Sequence, residues 1–149
     1  MTTSNGLTGN LFEWSVLGRA LAIPSVPAQS YLPYTRAMAV AREHPAWDPT
    51  DPDPRQANDL HAWVCEGLGV EDYSQVCFYS ALGTPLDRFH GVDCWFEVGG
   101  RVVTIDLTTD PSKERYKADV VLHPEDLEDG GKAVAEHISA LLGGRRGAH

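Results

Sequence analysis

Asp93 and Asp106 are the residues whose type and spacing suggest chemistry. They lie in the stretch HGVDCWFEVGGRVVTIDLTTDPSK, residues 90–113. One aspartate opens a candidate strand and the other closes the next, with Gly99 and Gly100 between the two strands. A Gly-Gly pair tolerates the positive φ of a tight hairpin, so the strands are expected to fold back on each other. The two aspartates stand equally far from that turn. Antiparallel neighbours sit about 5 Å apart, so both carboxylates can face one point. Carboxylates at one point repel unless a cation lies between them. Hard divalent ions such as Mg²⁺ or Mn²⁺ take such oxygen ligands, and can polarise a phosphoryl oxygen or acidify a bound water. Asp93 and Asp106 are therefore expected as metal ligands.

The neighbours extend this site. Thr108 follows Asp106 by two positions and shares its face of the strand. Lys113 and Lys117 come on the next segment, where a lysine could hold the scissile phosphate or orient the attacking water. Glu13, beside the apolar face of the first candidate helix, could reach the same point as a further ligand or base. Arg88, in LDRFHG just before Asp93, is a candidate phosphate contact, and His90 another substrate-side residue.

The elements that must position these residues can be read from periodicity. LTGNLFEWSVLGRALA reads as a helix whose apolar face includes Leu11, Trp14, Val16 and Leu17. TRAMAVAREH and QANDLHAWVCEGLGV read as two more helices, separated by the proline- and aspartate-rich loop PAWDPTDPDPR. Trp47 in that loop is expected to be exposed, whereas Trp14, Trp63 and Trp95 are expected in the core. SQVCFYSAL reads as a strand, GTPLDRFHG as a loop, and KADVVLH as a last strand after the hairpin. PEDLEDGGKAVAEHISALLGG reads as a closing helix with Ala133, Val134, His137, Ile138 and Leu141 on one face. Helices, then strands, then a helix make an α+β chain of α/β/α-like layering, with a small mixed central sheet flanked by helices.

Composition bounds the alternatives. The 149 residues suit one domain, residues 1–149, with 1–9 and 143–149 expected as flexible ends. No apolar run approaches a membrane span, and the opening MTTSNGLTGN lacks the features of a secretory signal, so a cytoplasmic protein with no membrane partner is expected. Cys65, Cys77 and Cys94 form no CxxC pair and read as free thiols. His44 and His61 make no zinc spacing. The net charge of −9 counts against a protein that coats nucleic acid, but not against one that gathers metal ions in a cleft.

Taken in order, these segments resemble the PD-(D/E)xK nuclease superfamily, which has the restriction-endonuclease-like fold. GNLFEWSVLGRAL offers the helix glutamate, Glu13. HGVD offers the strand aspartate, Asp93. TIDLT offers the acidic position, Asp106, but places Thr108 where the pattern has lysine. PSKERYKADVV looks like versions in which the lysine has moved downstream, with Lys117 as first choice and Lys113 as second. The resemblance spans most of the chain and implies metal-dependent phosphodiester hydrolysis. Glu13, Asp93 and Asp106 would hold Mg²⁺ or Mn²⁺, and the lysine would stabilise transition-state charge. It also implies a nucleic-acid substrate, DNA above all, and makes a homodimer plausible.

Two other readings compete. One is a catalytically inactive nuclease-fold module, of phage or mobile-element type, that docks a protein partner; the departure at Thr108 and the acidic balance favour it. The other is a transglutaminase-like cysteine enzyme using His90 and Asp106. It requires Cys65 or Cys77 as nucleophile, and neither is expected at the helix N-terminus that would favour thiolate.

Overall fold

The computed structural model describes residues 5–18, 30–112 and 117–143. Its helices are α1 (Asn5–Leu17), α2 (Tyr34–Glu43), α3 (Arg55–Leu68), α4 (Pro85–His90) and α5 (Lys132–Leu141). Its strands are β1 (Cys77–Ser80), β2 (Cys94–Val98), β3 (Arg101–Leu107) and β4 (Val120–Leu122). They form one sheet in the order β1-β2-β3-β4, antiparallel across the first two ladders and parallel across the last. The chain is thus mixed α and β, with a four-stranded mixed sheet.

The hairpin forms where the glycines predict it. Gly99 and Gly100 have φ of 55° and 86°, a pairing that other residues adopt only at a steric cost. Val98 pairs with Arg101 and Cys94 with Ile105. Alternation along β2 is incomplete, because Cys94, Trp95 and Phe96 are all buried. Both faces of the sheet are covered. On one face Phe78, Phe96 and Val103 lie side by side, with the two phenyl rings stacked 4.1 Å apart. They join Phe12, Val16 and Leu17 of α1, Leu60 and Val64 of α3, and Ile138 of α5 in the larger core. On the other face Trp95, stacked on Tyr79 at 4.6 Å, packs with Ala37, Met38 and Ala41 of α2 and Leu86 of α4.

Several expectations are corrected. GTPLDRFHG contains a helix: Thr84 precedes α4, Pro85 opens it, Asp87 lies in its first turn, and Gly91 ends it in the left-handed conformation. Trp47 is buried, 7% exposed, because its indole Nε1 donates to the Phe78 carbonyl at 2.8 Å and ties the loop to β1. Leu11 is exposed and the buried stripe of α1 passes through Phe12 and Val16. The closing segment breaks at Gly130 and Gly131 into a 3₁₀ turn, Pro124–Leu127, and α5. The inner face of α5 is Ala135, Ile138 and Ser139, while Ala133, His137 and Leu141 face solvent. Among the described residues, no helix is long and apolar enough to cross a membrane.

Candidate functional site

The carboxylates meet where β2 begins, β3 ends and α4 begins. Asp93 sits immediately before β2 and is 3% exposed. Its main chain is held from both sides: its N–H donates to the Ile105 carbonyl at 2.9 Å, and its carbonyl accepts from Ala81 N–H at 2.8 Å. Its carboxylate Oδ2 accepts from the Leu107 N–H at 2.7 Å, so β3 fixes the side chain as well. Asp106 lies on β3, beside Val121 of β4, and its side chain is within hydrogen-bonding reach of Asp93. The hairpin thus brings the two aspartates side by side.

Two further acids join them. Glu13 of α1 acts electrostatically on both Asp93 and Cys94. Asp87 of α4, which the sequence reading missed, hydrogen-bonds with Asp93 and accepts from the Gly83 N–H at 3.1 Å. Its signal lay in TPLD, a helix start with threonine before proline and an acid in the first turn.

Crowding of like charge in a dry place governs the protonation of this cluster. Burial first, then the Asp87 charge and its hydrogen bond, push the Asp93 carboxyl up to about 11, and Glu13 and Asp106 add to this. Burial also raises Asp87, while the hydrogen bond with Asp93, the Gly83 N–H and Arg88 partly offset it. The two acids share a hydrogen bond, and burial raises both of them. Cys94, directly beneath, is pushed up by burial and by the same acids.

Carboxylate oxygens are the ligand type that hard dications take. As folded, the spacing is that of hydrogen-bonded acids. Among the described residues, no three His, Cys, Asp or Glu side chains stand in metal-holding geometry. The chemistry of the donors fits Mg²⁺ or Mn²⁺ once the shared proton leaves.

The other expected residues gather less closely. The Thr108 hydroxyl accepts from the Asp110 N–H at 3.0 Å and shapes the turn after β3. The Lys117 Nζ donates to the Phe89 carbonyl at 3.5 Å, and its methylenes cover Gly91. Lys113 lies outside the described residues. Arg88 is exposed on α4, close enough to Asp87 to lower its pKa. His90 turns toward α2: its Nε2 donates to the Leu32 carbonyl at 2.7 Å, and its ring packs edge-on to Tyr34.

The thiols lack the environment of a nucleophile. Burial pushes Cys65 up to about 12, and Cys77 is also raised by burial. The His90 Nε2 is engaged by the Leu32 carbonyl. His61, likewise, is buried and donates from Nε2 to the Val76 carbonyl at 2.8 Å. No protein family, curated protein or solved structure matches the chain.

Proposed function

We propose that the chain is a divalent-metal-dependent nuclease that hydrolyses phosphodiester bonds, related to the PD-(D/E)xK enzymes it resembles in sequence. One observation supports this above others: Glu13, Asp87, Asp93 and Asp106, from three separate parts of the fold, crowd one strand end at an electrostatic cost. A fold has no structural need to assemble such a cluster, and strain of this kind concentrates at functional sites. Asp93, Asp106 and Glu13 would hold Mg²⁺ or Mn²⁺, which when bound supplies a polarised phosphoryl oxygen and an acidified water. The chain's own residues set the geometry. The Leu107 N–H aims Asp93, β3 aims Asp106, and Asp87 offers a proton acceptor beside them. Arg88, exposed on α4, and exposed Lys117, whose ammonium reaches the Phe89 carbonyl, would contact the phosphate.

The test is cleavage of single-stranded, duplex and branched DNA and RNA with Mg²⁺ or Mn²⁺, alongside Asp106→Ala. Loss of metal-dependent cutting in a variant that remains folded supports the reading; no cutting by the folded wild type on any substrate overturns it.

A second reading, the inactive docking module, draws on a different observation. The Thr108 hydroxyl is engaged by Asp110, and the Lys117 ammonium by the Phe89 carbonyl. Glu125, Asp126, Glu128 and Asp129 line a shallow depression ahead of α5, suited to a basic partner. Failure of cleavage, with capture of a basic protein lost on charge reversal there, would favour it.

A further inference from the structure

Tyr31 is 63% exposed and Tyr34 is 45% exposed, though both are large rings. They do not stand alone. Tyr31 meets Phe89 edge-on with ring centroids 5.5 Å apart, and tilts against His90 at 5.7 Å. Tyr34 meets the same histidine edge-on at 5.6 Å. The hydrogen bond from His90 to the Leu32 carbonyl fixes the centre of the group. Four rings are therefore held in place at the surface, between the start of α2 and the end of α4, before any ligand arrives. Preorganised rings lose little conformational freedom on binding.

The setting of these rings narrows the partner. Arg88 is exposed on α4 one residue before Phe89, and the Lys117 ammonium sits at the Phe89 carbonyl. Cationic side chains beside exposed rings are the combination that binds a nucleic-acid strand by stacking and phosphate contact. Helix α4 carries Asp87 of the carboxylate cluster in its first turn and the rings at its end. Three residues at about 1.5 Å rise each carry α4 about 4.5 Å from Asp87 to His90, and the Tyr34 ring centroid lies a further 5.6 Å from that of His90, which puts the two groups on the order of 10 Å apart, within reach of neighbouring nucleotides of one strand. Stacking needs bases free of a duplex. The overall charge of −9 weakens sequence-independent backbone attraction, which leaves more of the affinity to stacking. Asp119 also lies near enough to Tyr34 to act on its phenol, but its carboxylate is occupied by the Thr104 N–H and hydroxyl at 3.0 and 3.2 Å.

We propose that Tyr31 and Tyr34, braced by Phe89 and His90, form a base-stacking platform that makes single-stranded nucleic acid the substrate of the neighbouring carboxylate site. This rests on the nuclease reading for its purpose, but not for its test. Binding is measured by fluorescence anisotropy with Asp106→Ala protein, which does not cut. The probes are a fluorescein-labelled mixed-sequence DNA single strand and its matched duplex. The expected result is a single strand bound about tenfold or more tighter than the duplex. The Tyr31→Ala/Tyr34→Ala pair is expected to weaken strand binding by about tenfold or more, while Tyr31→Phe/Tyr34→Phe keeps it. Both tyrosines are exposed, so the variants should melt as the parent does. Equal affinity for strand and duplex, unchanged binding by the alanine pair, or no binding of the strand overturns the platform. Wild type that cuts duplex while any of these holds leaves the nuclease standing alone. Strand binding that depends on the rings, with no cleavage under any metal, leaves the platform without the nuclease.

Discussion

Replacing Asp93 with asparagine should make the metal-free protein more stable at neutral pH. The carboxyl is buried and held protonated, its pKa pushed up to about 11. In the unfolded chain the same group ionises near pH 3.9. At pH 7 folding must therefore keep a proton on it across about three pH units, a cost of about 4 kcal/mol at about 1.36 kcal/mol per unit. Asparagine needs no such proton. Its amide oxygen can still accept from the Leu107 N–H, and its NH₂ can donate to the neighbouring Asp87 carboxylate. Allowing for imperfect replacement of the shared proton, the gain is about 2–4 kcal/mol, or roughly 5–15 °C in Tm for a chain of this size. The sign follows from linkage. Below about pH 4 both folded and unfolded states hold the proton, so wild type and variant should differ little. As pH rises above the unfolded value, only the unfolded wild type releases it, and the advantage of the variant grows. Urea denaturation followed by tryptophan fluorescence in EDTA, from pH 4 to pH 8, measures this. A variant less stable than wild type at pH 7, or a difference constant with pH, would refute the reasoning.

Other outcomes follow from the same geometry. Mg²⁺ or Mn²⁺ should raise the Tm of wild type but not of Asp93→Asn, reaching about 2.7 kcal/mol when the ion is at a hundred times its Kd; equal shifts in thermal scans would place binding elsewhere. Gly67→Ala should destabilise by about 1–3 kcal/mol, because its Cβ would lie 2.8 Å from the Ser139 Cβ where α3 crosses α5. Unchanged urea unfolding would show that the helices can part freely. Trp47→Phe should cost about 1 kcal/mol or more, leaving the Phe78 carbonyl without its donor at a buried site. A null effect in the same measurement would mean that water replaces it. All the thiols should react slowly with an aromatic disulfide reagent at pH 8, with half-buried Cys77 ahead of buried Cys65 and Cys94. Fast labelling of Cys65 in folded protein would contradict its burial.

The hairpin and its acid pair were legible in the sequence because they depend on local signals. Gly99 and Gly100 demand a tight turn, and counting outward from it aligns Asp93 with Asp106. Glu13 stands beside the apolar face of the first helix, and α1 brings its charge close enough to act on Asp93. Asp87 was lost because turn-forming residues at both ends of PLDRFH masked a helix of six residues, too short to show periodicity. Trp47 was misplaced for another reason. Its loop has the composition of an exposed segment, and its burial comes from residues far along the chain, the Phe78 carbonyl and ring among them. The parallel pairing of β4 with β3 is likewise long-range. The inner faces of α1 and α5 are legible in part: Val16, Leu17 and Ile138 are buried as expected, whereas the apolar Leu11 and Leu141 stand beside the buried stripe. The roles of Thr108 and Lys117 depended on side-chain direction, which spacing alone does not fix.

The position of the acids at the open end of the hairpin also bears on the order in which the protein forms. A hairpin closing from Gly99 and Gly100 makes the pairs Val98–Arg101 through Cys94–Ile105 first. Only then do the carboxylates come together, after the favourable contacts have accumulated. Repulsion met late in folding leaves the approach to the transition state nearly untouched and is felt as a faster exit from the native state. Asp93→Asn should accordingly slow unfolding and leave the folding rate almost unchanged. The same acids placed beside the turn would have obstructed the first step.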